Sequence, residues 1–408
     1  MKVLWLSNCS LVDIENKGTG SWLFSMSKAL CSRGIELYNI TQTSNSKLIE
    51  KQGNNIKEWL LPKTKLINGL PPQSHINLIL NIVKEINPDI IHIWGVELYW
   101  GLLSARGYLK GNILLEIQGL YSSCAEVYYG GMSFNEILST FRLKEILAFN
   151  RSLPYGKWKA KKKLVYEKEI IGTHKYISVQ SEWVKARISP YISEGTVILD
   201  TGIIVRDEFY ECASWEYKGN DNPIVFAMSS GVVAYKGIHI LLKSLFLLKK
   251  QYPGIKLHLA GDFQQGSKFY KKGGYVKFLE KLIKLYDLDV VFLGPLNASE
   301  LIQEMKKCDV MVQPSFVESY SLALAEAMTV GIPCVVSFAG AMSELAIDNE
   351  SALFYSPMDY YKCARQISRL LESQDLSNKL SQKSKEVACL RNKSDLVIET
   401  QLNIYNKI

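Results

Sequence analysis

Short, nearly continuous apolar runs alternate with stretches of helical periodicity along the whole chain. In the first half the candidate strands are "KVLWLSN" (2–8), "IELYNIT" (35–41), "IKEWLLP" (56–62), "DIIHIWG" (89–95), "NILLEIQ" (112–118), "YISVQ" (176–180) and "TVILD" (196–200). Runs that are β-branched and apolar at nearly every position suit strands covered on both faces, the mark of a parallel sheet. Between them lie helical patterns such as "SWLFSMSKALCSRG" (21–34), closed by a glycine suited to the position after a helix end.

The rhythm pauses at "VRDEFYECASWEYKGNDNP" (205–223), a polar stretch ending in turn residues. A second series follows: "IVFAMSS" (224–230), "KLHLAGD" (256–262), "VVFLG" (290–294), "VMVQPS" (310–315), "CVVSF" (334–338) and "ALFYS" (352–356); from about Tyr360 the pattern is helical. The expected organisation is a first domain over 1–204, a linker over 205–222 and a second domain over 223–389. A terminal helix at about 390–408 is expected to pack back on the first domain. The fold class is α/β, with two doubly wound, Rossmann-like domains and ligands at the carboxyl ends of their strands. The expected site is the cleft between them.

Composition agrees with two soluble domains. The chain has 408 residues, 47% of them hydrophobic and 22% charged. It has no apolar run of 18 residues, and "MKVLWLSNCS" lacks a secretory core. Eight scattered cysteines with no Cys-x-x-Cys pair argue for reduced thiols in a cytosolic protein and against a zinc site. The net charge of +8 is uneven: residues 1–205 hold 24 Lys+Arg against 17 Asp+Glu, and the remainder 24 against 23. A basic half suits a polyanionic surface.

The most informative stretch is "ESYSLALAEAM" (318–328), with Glu318 and Glu326 eight positions apart. It reads as a loop after a strand, then a helix capped by Ser319 or Ser321 and closed by Gly331. A helix start at a strand's carboxyl end is a ready anion site. Two carboxylates flanking it suit a ligand with phosphates in the middle and polyols at both ends, the shape of a nucleotide sugar.

Here "PSFVESYSLALAEAMTVGIPCVVSFAGAMSEL" resembles the E-x7-E segment of retaining GT-B glycosyltransferases of family 4, the group 1 type. The resemblance extends through "NKGTGSW" (16–22), "NPDIIHIWG" (87–95), "YISVQSEWVKARI" (176–188), "YKGIHILLKSL" (235–245), "LHLAGD" (257–262) and "VVFLGPLNASELIQEMKKCDVMVQPS" (290–315). It implies a GT-B fold and specific roles. Glu318 would hydrogen-bond the donor sugar near the reacting carbon, and Glu326 would hold the ribose hydroxyls. Lys236 would neutralise the diphosphate as it leaves. Ser319, Tyr320, Ser321 and Leu322 would meet sugar and phosphate, Gly294 and Leu296 would border the base, and Gly18 and Gly20 would admit the diphosphate to the first domain.

Three positions depart from the family pattern. Ser230 and Gly231 stand where an arginine usually precedes the lysine. Gln118 stands where many members have a histidine; it can bond a sugar hydroxyl but cannot accept a proton. The Gly-Gly-x-Pro-Glu turn reads Gly340-Ala341-Met342-Ser343-Glu344. The resemblance implies front-face transfer with retention, a donor phosphate oxygen taking the acceptor proton, so no side-chain base is obligatory. It also implies no metal and no cofactor, with a UDP- or GDP-type sugar as substrate.

Plainer readings stand beside these. Glu326 alone would pass as a solvent-facing helix residue, Lys236 as a turn lysine, and Gly18 and Gly20 as loop punctuation. His92 and His174 read as packed histidines. "KWKAKKKLVYEK" (157–168), with Trp158 and Tyr166 among six lysines, is either a solvated helix face or a patch for anionic lipid. A dinucleotide oxidoreductase is excluded because "NKGTGSW" comes too late after the first strand. No nucleic-acid motif accompanies the basic patch. The expected function is hexosyl transfer from a nucleotide sugar to a lipid-linked or oligosaccharide acceptor in cell-surface polysaccharide synthesis (lipopolysaccharide or capsule). The expected location is cytoplasmic, with the lysine run as candidate attachment to the inner face of the plasma membrane. The alternatives are a sugar-nucleotide epimerase-like enzyme and a catalytically silent nucleotide-sugar-binding protein of the same fold.

Overall fold

The computed structural model describes residues 1–12, 20–53, 55–141, 152–229, 233–264 and 273–408. It divides into two compact units. The first comprises Met1–Ser122, Lys163–Val205 and Asn392–Ile408, and the second Ser123–Lys162 and Arg206–Arg391.

The first unit is built on strands β1 (Lys2–Leu6), β2 (Glu36–Thr43), β3 (Ile49–Gly53), β4 (Ile56–Pro62), β5 (Ile90–Trp94), β6 (Ile113–Glu116), β7 (Tyr176–Val179) and β8 (Val197–Asp200). Among the described residues they form one sheet in the order β3-β4-β2-β1-β5-β6-β7-β8. All neighbours are parallel except the edge pair β3–β4. The apolar runs behave as strands buried on both faces should: Leu4 and Leu6 join one core with Ile91, Ile93 and Leu115, while Val3 and Trp5 join another with Ile90, Trp94 and Leu114. The helix Ser394–Lys407 belongs to this unit and contributes Val397, Ile398, Ile404 and Tyr405 to the second of these cores. The Tyr405 hydroxyl accepts from Trp5 Nε1 (3.1 Å) and lies 2.9 Å from His92 Nδ1. His92 is thus packed and bonded, and burial lowers its pKa.

The second unit carries β9 (Ile224–Met228), β10 (Lys256–Ala260), β11 (Asp289–Gly294), β12 (Val310–Gln313), β13 (Cys334–Ser337) and β14 (Leu353–Tyr355) in a parallel sheet of order β11-β10-β9-β12-β13-β14. Every apolar run read as a strand is one, with ends moved by at most two residues. The strand that sequence reading missed is β3, "IEKQG", a polar edge strand with no apolar face.

Residues 123–162 group with the second unit, although the expected first domain ran through 1–204. The packing supplies the reason. His239 Nε2 donates to the Gly130 carbonyl at 2.9 Å, and Nδ1 lies 2.9 Å from the Tyr275 hydroxyl. Burial pushes this imidazole down to about 4, so it is neutral and fixed in that tautomer. Lys243 pairs with Glu136 at 2.6 Å. A β-carbon on Gly130, at φ 57°, would lie 2.2 Å from the Ala234 carbonyl oxygen, so only glycine fits there.

Candidate functional site

Ligands of open α/β sheets bind where the strand order reverses, beyond the carboxyl ends of the strands on either side. In the second unit the reversal falls between β9 and β12, since β9–β11 run one way along the sheet and β12–β14 the other. Lys236 follows β9 and Glu318 follows β12. The short turn Ala234–Lys236 ends on Gly237 (φ 72°), whose β-carbon would sit 1.8 Å from the Pro314 carbonyl oxygen. Phe316 N donates to the Tyr235 carbonyl at 2.7 Å, joining the two loops.

That join brings the two candidate residues together. Lys236 Nζ lies 2.6 Å from Glu318 Oε1, which also accepts from Ser315 Oγ (2.7 Å) and Gln313 Nε2 (3.2 Å). Gly340, at φ 59°, is the first glycine of the departing turn and the one this chain keeps: a β-carbon there would approach the Glu318 carbonyl oxygen to 2.0 Å, and Ala341 N donates to that same oxygen at 2.9 Å. The backbone of Glu318 is held as firmly as its carboxylate.

Ser321 is the cap of the helix Leu322–Val330, accepting from Leu324 N at 3.2 Å, and Gly331 (φ 87°) closes it. Ser319 and Ser321 are buried, Tyr320 and Leu322 partly so. Glu326, one turn in, is only 2% exposed. Its Oε1 takes two bonds from Arg206, from Nη2 at 2.7 Å and Nε at 3.0 Å. Burial raises the carboxyl's pKa and Arg206 draws it back. The plain reading of Glu326 as solvent-facing does not hold. Gly294, at the carboxyl end of β11, accepts from Gly261 N at 2.8 Å, with Leu296 just beyond. They lie two strands from β9, about 10 Å along the sheet. Gly18, Ser230 and Gly231 lie outside the described residues.

In the first unit the order reverses between β1 and β5. Gly20, after β1, caps the helix Ser21–Ser32 at φ 94°, and a β-carbon there would lie 2.9 Å from Cys9 Sγ. Gln118 follows β6, and its buried Nε2 has no partner among the described residues.

Sequence reading missed Arg206, which lies 120 positions from its partner in a stretch read as linker; no local pattern points to it. Gln313 and Ser315, inside "VMVQPS", were legible as a strand end, but not as partners of Glu318. A cavity of about 490 Å³ lined by Lys249, Gly254 and Asp289 lies at the amino ends of β10 and β11, the opposite edge from Glu318. Among the described residues no group of three or more His, Cys, Asp or Glu could hold a metal ion. No described helix is long and apolar enough to cross a membrane.

Residues 212–387 match the family model described as Glycosyl transferases group 1. That segment, less than half of the chain, is similar to the family. An uncharacterized glycosyltransferase of Bacillus subtilis, YqgM, is 26% identical over 43% of this chain and 47% of its own length. The chain covers about half or less of the curated relatives it matches. Among solved structures, sucrose-phosphate synthase from Thermosynechococcus elongatus is similar at TM-score 0.75 and 17% identity, over 100% of this chain and 98% of that one. Anabaena HepE in complex with UDP-glucose is similar at TM-score 0.71 and 16% identity over the full length of both. The chain thus has the GT-B fold, two Rossmann-like units each with its own strand-order reversal.

Proposed function

We propose that this protein is a retaining, metal-independent glycosyltransferase that moves a hexose from a UDP- or GDP-type sugar to a lipid-linked or oligosaccharide acceptor in cell-surface polysaccharide synthesis. The observation that carries the reading is the Lys236–Glu318 pair, 2.6 Å apart beyond the carboxyl ends of β9 and β12. A bound diphosphate competes with Glu318 for the Lys236 ammonium. Glu318 then turns to the sugar beside the reacting carbon, held by Ser315 and Gln313. Transfer forms the bond from acceptor oxygen to anomeric carbon and breaks the bond from that carbon to phosphate oxygen. The electron pair leaves with the diphosphate, Lys236 stabilises the charge that develops, and a phosphate oxygen takes the acceptor proton. Glu326, fixed by Arg206, offers its second oxygen to the ribose. Similarity to structures holding UDP-glucose and UDP supports the donor class.

The helix Leu153–Thr173 supports attachment to an anionic membrane. Lys159, Lys161, Lys162 and Lys168 are exposed, beside Trp158 at 47% and Val165 at 66% exposure. Each cation near such a surface contributes about 1 kcal/mol.

Calorimetric titration with UDP, GDP and ADP tests the donor reading. One nucleotide should bind the unaltered protein, and Lys236→Ala and Glu326→Gln should each weaken it by about tenfold or more, a loss of about 1.4 kcal/mol. Failure of all three nucleotides to bind would sink the proposal.

A further inference from the structure

The strand-order reversal of the first unit holds a carboxyl group that neither the family pattern nor the donor chemistry uses. Glu97 lies three residues beyond β5, in "WGVE". Two glycines make room for it. A β-carbon on Gly95 (φ 88°) would lie 2.0 Å from Glu97 Oε2, and one on Gly119 would lie 2.9 Å from Oε1. The carboxyl therefore rests against the backbone next to Gln118. Its Oε2 is buried with no hydrogen-bond partner among the described residues, and so is Gln118 Nε2. On the next strand along, Gln180 donates to Glu116 through Nε2, while its own Oε1 is buried without a partner.

Three such atoms at the carboxyl edge of adjacent strands β5, β6 and β7 need explaining, because each unmet buried polar group costs about 1–3 kcal/mol. Their polarity is complementary. Gln118 Nε2 can only donate, and Gln180 Oε1 and an ionised Glu97 can only accept. A hydroxyl group both accepts and donates, so the hydroxyls of a polyol offer the partner that each kind of unmet group lacks.

We infer that Glu97, Gln118 and Gln180 form a polyol subsite of the first unit, taking hydroxyls of a hexose in the acceptor, with Glu97 as its specificity-determining residue. This rests on the glycosyl-transfer reading and goes beyond it by assigning the acceptor's chemistry to named side chains. The subsite is sensitive to pH. Burial pushes Glu97 up to about 7, helped by the Glu167 carboxylate and opposed by backbone N–H groups of Val96 and Glu97 and by Lys163. Glu167 and Lys163 come from the helix Leu153–Thr173, and Tyr121 faces the same place from the helix Tyr121–Glu126. Glu167 accepts from the amides of Tyr121 and Ser122. Lys163 Nζ donates to the Tyr121 hydroxyl (2.6 Å), which donates to the Glu97 carbonyl (3.2 Å). A ligand hydroxyl that donates to Glu97 needs the carboxylate, so binding strengthens as pH rises through about 7.

Saturation-transfer NMR with free glucose, galactose, mannose and N-acetylglucosamine tests this on the full chain, from about pH 5.5 to 8.5. UDP titration of each variant serves as the control for folding and for the donor reading. At least one hexose should bind, more strongly at high pH. Glu97→Gln should abolish the pH dependence and Gln118→Ala should weaken binding about tenfold, both with UDP affinity unchanged. Hexose binding that ignores pH or both substitutions would overturn the subsite, and so would UDP binding with no hexose binding at all. Failure of UDP to bind the unaltered protein counts instead against the proposed function.

Discussion

In the second unit each carboxylate at the strand-order reversal has a cation against it, Lys236 on Glu318 at 2.6 Å and Arg206 on Glu326 at 2.7 Å. At the corresponding place in the first unit, Glu97 Oε2 is buried without a hydrogen-bond partner, and the carboxyl is pushed up to about 7. The same topology thus carries two electrostatic solutions. Paired carboxylates are held in one orientation, and a cation that can change partners suits a ligand bringing its own negative charge. An unpaired carboxyl near neutrality suits an uncharged polyol, whose hydroxyls replace water one by one. Charge-paired and charge-unpaired crevices should therefore fail differently when cut.

The largest effect is expected at the most buried pair. Arg206→Met leaves Glu326 buried without its cation, and breaking such a pair from one side costs about 3–5 kcal/mol. Adding Glu326→Leu should restore most of that stability, because removing both charges is close to neutral. Urea unfolding of the single and double variants checks this. A single variant within about 1 kcal/mol of the parent would mean that the pair is not the buried anchor described.

A smaller loss separates the two units at glycines of similar backbone. Gly340→Ala, at φ 59°, drives a β-carbon to within 2.0 Å of the Glu318 carbonyl oxygen, whereas Gly107, at φ 76° on the first unit, has nothing within 4 Å of that position. Gly107→Ala should cost only the left-handed conformational penalty of about 1–2 kcal/mol. Gly340→Ala should cost more and also lower donor hydrolysis, since Glu318 must shift. Equal losses in stability with hydrolysis untouched would show that the 340–341 turn does not hold Glu318.

These contrasts also mark how much the sequence could disclose. The parallel sheets were legible because strands buried on both faces leave unbroken apolar runs; "IEKQG" left none and β3 was missed. Glu318 and Lys236 were legible from resemblance, and their contact came only with the fold, through Gly237 and Phe316 N. Arg206 was not legible, because an ion pair across 120 positions has no local signature. Glu97 was hidden for a different reason. Its strand-end position makes no motif, and what sets it apart is a missing partner and the space two glycines leave, neither of which a linear pattern encodes. The grouping of 123–162 with the second unit was likewise invisible, resting on one buried histidine, one ion pair and one glycine too close to a carbonyl.

The finest test uses two substitutions of opposite sign on the same helix. Glu167 raises the Glu97 pKa through like charge, and Lys163 lowers it through opposite charge. Replacing Glu167 by Gln removes the repulsion, so Glu97 ionises more easily and the midpoint of hexose binding moves below that of the parent. Replacing Lys163 by Met removes the attraction, and the midpoint moves above it. Both shifts should be under about one pH unit, since burial is the larger cause and neither variant changes it. Each variant also removes a contact of Tyr121, whose amide meets Glu167 and whose hydroxyl meets Lys163, but losing such a contact has no reason to reverse sign between them. Opposite displacements would tie the titration to Glu97. Displacement of both midpoints in one direction would assign the pH dependence to a group other than this carboxyl.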